Sequence, residues 1–136
     1  MKKLFLLIIT LGFSVTIAIA QSNPKNNEVY EQVDQTPEYP GGMPALVDFI
    51  GKNLKYPSEA HKNKIEGKVL VKLLIEEDGT ISETEIMKGL GHGCDQEVTR
   101  VIKLMPKWKP GKKDNAFVRT SLVLPVMFAL ERKSSK

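Results

Sequence analysis

Apolar and polar positions alternate most regularly between residues 67 and 75. Val69, Val71, Leu73 and Ile75 share one face there, and Leu70 and Leu74 add apolar groups to the other. A period of two predicts a β-strand, and cover on both faces predicts a central one. Asp78-Gly79 follows as a hairpin turn signal, so residues 81–88 are expected to return antiparallel as a more polar strand through Ser82, Glu83, Thr84 and Glu85. Two stretches have helical spacing instead. Leu46, Phe49, Ile50 and Leu54 fall on one helical face behind Pro44; Pro57 then stops or re-aims the chain, and residues 58–63 suggest a further short helical turn. Val98, Val101, Ile102 and Met105 mark a second helical face, with Asp95 as the expected N-cap and Pro106 as the stop. In the last stretch, residues 116–130, Val118, Leu122, Leu124, Val126 and Phe128 point one way. Pro125 cannot donate to a ladder, which argues for an edge strand.

A strand, a crossover helix and a strand run parallel within one sheet, so the third strand should parallel the second and oppose the first. The expected fold is α+β: a three-stranded antiparallel sheet in the order 2-1-3, with two helices packed on one face. The most apolar strand is then central and the proline-bearing one lies at the edge.

Composition changes this picture mainly at the N-terminus. The chain has 136 residues, 41% of them apolar, which suits one domain with one core. Residues 1–20 hold a basic start (Lys2, Lys3), an uncharged apolar run and the ending Ala18-Ile19-Ala20, the three parts of a secretory signal peptide. The competing reading is a membrane anchor, since residues 4–20 sit at the bottom of the spanning range of roughly 17 to 25. Both readings put the rest of the chain outside the cytoplasm. Removing Lys2 and Lys3 from the 20 basic residues leaves 18 against 16 acidic ones, a net charge of +2. Residues 21–38 are polar and aperiodic and read as a flexible tether with a reach of about 60 Å; the domain is expected over 39–131, with residues 132–136 as a disordered tail.

The run MPKWKPGKK, residues 105–113, holds the only tryptophan and four lysines. Basic residues around an aromatic can bind nucleic acid, but no second such cluster exists and a charge of +2 steers no polyanion. Two prolines and a glycine make it a corner between a helix and the edge strand, with Trp108 as a lid over the end of the core. His92 and Cys94, two residues apart before Asp95, could form a nucleophile pair, and His61 could join them at a metal. With two histidines in the chain, no oxyanion-hole motif and no ligand spacing, neither catalysis, a cofactor nor a metal site is expected. Cys94 has no intrachain disulfide partner, which leaves a free or intermolecular thiol.

Four stretches, YPGGMPAL (39–46), KYPSEAHKNKIEGKVLVKLLIEEDGTI (55–81), MPKWKPGK (105–112) and VLPVMFAL (123–130), carry a family resemblance. Residues 39–130 resemble the C-terminal domain of TonB, the periplasmic energy transducer of Gram-negative bacteria, in its short form. Within these stretches Gly41, Gly42, Gly67, Gly79, Trp108, Pro110 and Gly111 are read as structural. The resemblance implies that a short N-terminal box of an outer-membrane transporter adds as a strand to the sheet edge. It places that contact on Phe117, Val118, Arg119, Thr120, Ser121, Leu122 and Val123. It implies a second contact at Lys55, Tyr56 and Pro57, where Lys55 replaces the glutamine of the best-known members; an ammonium donates but cannot accept.

The chain also departs from a complete transducer. Residues 4–20 carry no ionisable group through which an anchor could couple to a proton-driven motor, and the tether is short. The expected protein is therefore a stand-alone periplasmic binding module whose partner is an outer-membrane TonB-dependent transporter or another envelope protein. The alternatives are an anchored short transducer, an envelope protein paired edge to edge as a homodimer, and a thiol-dependent enzyme or redox partner acting through Cys94.

Overall fold

The computed structural model describes residues 27–131. The leader, residues 21–26 and residues 132–136 lie outside the described residues, and with them the expectations of a cleaved signal peptide and a disordered tail. The elements follow in the order α1 (Gly42–Asn53), α2 (Ser58–Lys62), β1 (Gly67–Ile75), β2 (Ile81–Lys88), α3 (Cys94–Lys103), β3 (Gly111–Lys113), β4 (Ala116–Val118) and β5 (Thr120–Phe128).

The alternation in β1 is matched by burial. Val69, Val71, Leu73 and Ile75 are all fully buried, and Leu74 on the opposite face is nearly so. β1 pairs antiparallel with β2 on one side and with β5 on the other, so the sheet has the expected order, β2-β1-β5. The β1–β5 ladder runs without irregularity from Gly67 opposite Phe128 to Ile75 opposite Thr120, whereas β2 shifts register near Leu70 and Leu74. Leu46 of α1, Ala60 of α2 and Val98 and Ile102 of α3 join the inward residues of β1 and β5 in one core. Each larger side chain buried there contributes roughly 1.5–3 kcal/mol. The helices therefore cover a single face. The other face shows half-exposed Met87, Val123 and Met127.

Three details differ from the sequence reading. The last stretch is two strands. Asp114 and Asn115 adopt left-handed φ of 49° and 65°, the geometry of a two-residue hairpin turn, so β3 and β4 pair with each other. Val118 consequently lies opposite Gly111 and not in the main sheet. Asp95 is not the N-cap of α3; Gly93, with φ of 87°, holds that position. The Asp95 carboxylate instead accepts the N–H groups of Leu90 at 3.0 Å and Gly91 at 3.4 Å, closing the glycine-rich loop.

The third difference is residues 30–38, which the sequence places in a tether. Tyr30 makes a parallel bridge to Thr120, and Gln35 and Glu38 make antiparallel bridges to Lys112 and Lys109. Pro37 is buried. The segment is polar because its attachments are backbone hydrogen bonds, which leave no side-chain pattern.

The corner at residues 105–113 is structural. Trp108 is 5% exposed and meets Tyr39 edge-on at 5.7 Å between ring centroids. Its backbone N–H donates to the carbonyl of Gly79 at 2.9 Å, which ties the corner to the β1–β2 turn. Lys107 and Lys109 face solvent.

Candidate partner-binding edge

β5 is one of the two outer strands of the sheet, β2 being the other, and its backbone decides what its edge offers. Ser121 donates its N–H outward, to the carbonyl of Tyr30 at 2.9 Å. N–H and C=O directions alternate along a strand, so Val123 and Met127 also point theirs away from β1. Pro125 falls between them, where its missing N–H leaves the β1–β5 ladder intact. From Val123 to Met127 the outward backbone groups have no partner among the described residues. Beside this open length, Pro37, Tyr39, Met43, Leu122, Leu124 and Pro125 line an apolar cavity of about 410 Å³. Met43 is 65% exposed at its mouth.

The residues that the resemblance assigned to the edge divide into separate groups. Phe117 and Val118 belong to β4, with the Phe117 ring 4.8 Å from the Lys112 ammonium. Arg119 turns its guanidinium to Glu76, Nε to Oε2 at 2.7 Å and Nη2 to Oε1 at 3.1 Å. Thr120 is 1% exposed and donates its hydroxyl to the Val118 carbonyl. Ser121 already serves Tyr30. Only Leu122 and Val123 border the open edge. Its remainder, through Met127, lies beyond the residues picked from the sequence.

The second assigned contact lies at the other end of the strand. The Tyr56 ring stands edge-on to Phe128 at 5.5 Å, and its hydroxyl donates to the Ile65 carbonyl. Burial, then the charge of Glu66, pushes that hydroxyl's pKa above its ordinary value. Pro57 packs beneath Gly93, and the Lys55 backbone N–H donates to Glu97 Oε1 at 2.8 Å. Thr120 and Phe128, the two ends of β5, are roughly 26 Å apart at about 3.3 Å per residue. One short strand along the edge spans both ends only if it is about eight residues long. Within the second group, the Lys55 side chain is the exposed part.

Charge near the edge is organised by Glu76. Hydrogen bonds from Arg119 and then Ser82 hold its carboxylate below the ordinary value of 4.5. Its ionised form is favoured by folding, so the stability it contributes is complete above that value and is lost as pH falls through the lower folded pKa. Glu76→Gln is expected to give a shallower loss of stability than the parent between about pH 5 and about pH 2. Urea denaturation followed at several pH values measures this.

The thiol geometry is closed. Cys94 is fully buried, and burial followed by the charge of Asp95 raises its pKa. His92 Nδ1 lies 3.4 Å from Glu59 Oε1. A buried thiol with a raised pKa presents little thiolate to a substrate. Among the described residues no group of three or more His, Cys, Asp or Glu side chains is placed to hold a metal, and no helix is long and apolar enough to cross a membrane.

Residues 52–130 match the family described as Gram-negative bacterial TonB protein C-terminal. The chain belongs to this family. Among solved structures, a Helicobacter pylori TonB C-terminal domain determined by solution NMR is similar at 23% identity, with a TM-score of 0.44, over 65% of this chain and 94% of that one. No curated protein is significantly similar to the chain. TonB C-terminal domains are periplasmic modules of Gram-negative bacteria, linked to TonB-dependent transport and to interaction with envelope proteins. In this TonB C-terminal domain β2 and β5 are the two outer strands of the sheet, and β5 has open backbone groups over part of its length.

Proposed function

We propose that this TonB C-terminal domain is a periplasmic protein-binding module. It docks by adding a partner strand to the β5 edge, the partner being the N-terminal box of an outer-membrane transporter. The observation that carries this reading is the unpaired outward backbone from Val123 to Met127 beside an apolar cavity. Open N–H and C=O groups supply affinity to an extended peptide, and the cavity takes one of its side chains. The leader delivers the domain to the periplasm, and Lys55 lies close to the far end of the same edge.

The test is in-cell photo-cross-linking from Met127, which is 57% exposed and outside the core. Thr120 is a poor site for the probe because its side chain is buried. Capture of an outer-membrane transporter is the expected result. Capture of a second copy of the chain, or of nothing, removes the transporter reading; a second copy would make the edge a self-association surface.

A further inference from the structure

Residues 27–36 occupy the neighbourhood of the partner edge in an unusual way. Tyr30 donates its N–H to the Arg119 carbonyl and accepts from the Ser121 N–H, both at 2.9 Å. Those are the outward groups immediately before the open length of β5. The chain then exchanges two hydrogen bonds between Gln35 and Lys112, at 3.0 and 2.9 Å, and two between Glu38 and Lys109. Side chains reinforce the path: Arg119 Nη1 donates to the Asn27 carbonyl at 3.0 Å, and the Lys113 ammonium lies 4.7 Å from the Tyr30 ring centroid. Asp34 Oδ2 accepts the Asp114 N–H at 2.8 Å.

What holds this segment differs from what holds the domain. No residue from 27 to 36 is buried; the first buried positions are Pro37 and Tyr39. Each backbone bond is worth about 1 kcal/mol net, and the exposed charge contacts less. A stretch with no buried residue, attached mainly through backbone bonds, opens at lower cost than the core it lies on. Pro37, fixed against Gly111, marks where opening would stop.

We infer that residues 27–36 are a releasable strap that occupies the first part of the β5 edge in cis and limits how far a partner strand can extend. The inference rests on the docking reading above. With the strap closed, a partner strand has the backbone from Val123 to Met127. With it open, the Ser121 N–H and the Arg119 carbonyl join the same row, lengthening the docking edge. Opening also removes the wall formed by Glu31, Val33 and Thr36 from a cavity of about 400 Å³ over the uncovered sheet face. Strap and partner therefore compete for one row of hydrogen bonds.

The test uses the full chain in three forms. Tyr30→Pro removes the N–H that Arg119 accepts. Gln35→Cys with Lys112→Cys, oxidised, locks the strap across an antiparallel pair whose Cα separation of about 5.5 Å suits a disulfide. Amide exchange by NMR should be about tenfold faster at Ser121 in Tyr30→Pro than in the parent, with Leu124 unchanged. Photo-capture from Met127 should rise from the locked form through the parent to Tyr30→Pro. Equal Ser121 exchange in parent and Tyr30→Pro, or equal capture in all three forms, overturns the strap. No capture in any form overturns the docking reading instead, and the strap then stands or falls on the exchange difference.

Discussion

A Gly79→Ala chain is expected to be less stable than the parent by about 3–5 kcal/mol, the range reserved for changes with a specific structural cause. Two effects add. Gly79 has φ of 88°, which costs a residue with a Cβ roughly 1–2 kcal/mol. The larger effect is contact: an added Cβ would sit 1.8 Å from the carbonyl oxygen of Trp108. That oxygen belongs to backbone and cannot swing aside as a flexible side chain could. The corner must lift, breaking the Trp108 N–H bond to Gly79 and loosening the Trp108 packing on Tyr39. Gly91 is the control, since its φ of 67° is also left-handed but nothing lies within 4 Å of an added Cβ. Gly91→Ala should therefore cost only about 1–2 kcal/mol. Urea denaturation of the two variants measures the difference, and equal losses would show that the Trp108 contact carries no energy.

The second large effect concerns docking. Val123→Pro should reduce partner capture by about tenfold or more while changing stability far less, because each lost hydrogen bond to a partner is worth about 1 kcal/mol and the ring also obstructs the approach. The separation of effects follows from direction. The Val123 N–H faces away from β1, as the proline at 125 already shows to be tolerated in this strand. Leu124→Pro is the counterpart. Its N–H faces β1, so this substitution should unfold the sheet rather than affect docking alone. Measuring Val123→Pro by thermal unfolding and by capture from Met127 distinguishes the two cases. Unchanged capture by a folded Val123→Pro protein would place the partner elsewhere.

The architecture was legible wherever burial wrote a period into the sequence. Val69 to Ile75 alternate because one face is sealed in the core, and Pro125 marked the edge because a ladder would have excluded it. Even the orientation of Thr120 could be read: it is in phase with Leu122, Leu124, Val126 and Phe128, which turn inward. The family's edge contact was nevertheless laid across it, so the residues assigned from the resemblance meet the open length only at Leu122 and Val123. Asp114-Asn115 was a turn signal of the same kind as Asp78-Gly79, and it was hidden by the apolar run that follows.

Other features had no side-chain signature to find. Tyr30, Gln35 and Glu38 join the domain through backbone groups that every residue carries. Polarity and lack of period therefore look the same in a tether and in a segment laid along an edge. Tyr56 was recognisable from its neighbours in sequence, but its hydroxyl bond to Ile65 and its contact with Phe128 depend on the folded chain.

Pro125 has one more consequence. An open sheet edge invites identical chains to stack on it without limit, the first step toward fibrils. Here the row of outward donors is interrupted at its centre, so a copy of the same strand cannot form a continuous ladder against it. A short guest can still bridge the gap. On the docking reading proposed above, the proline lets the edge take one partner strand while resisting polymerisation.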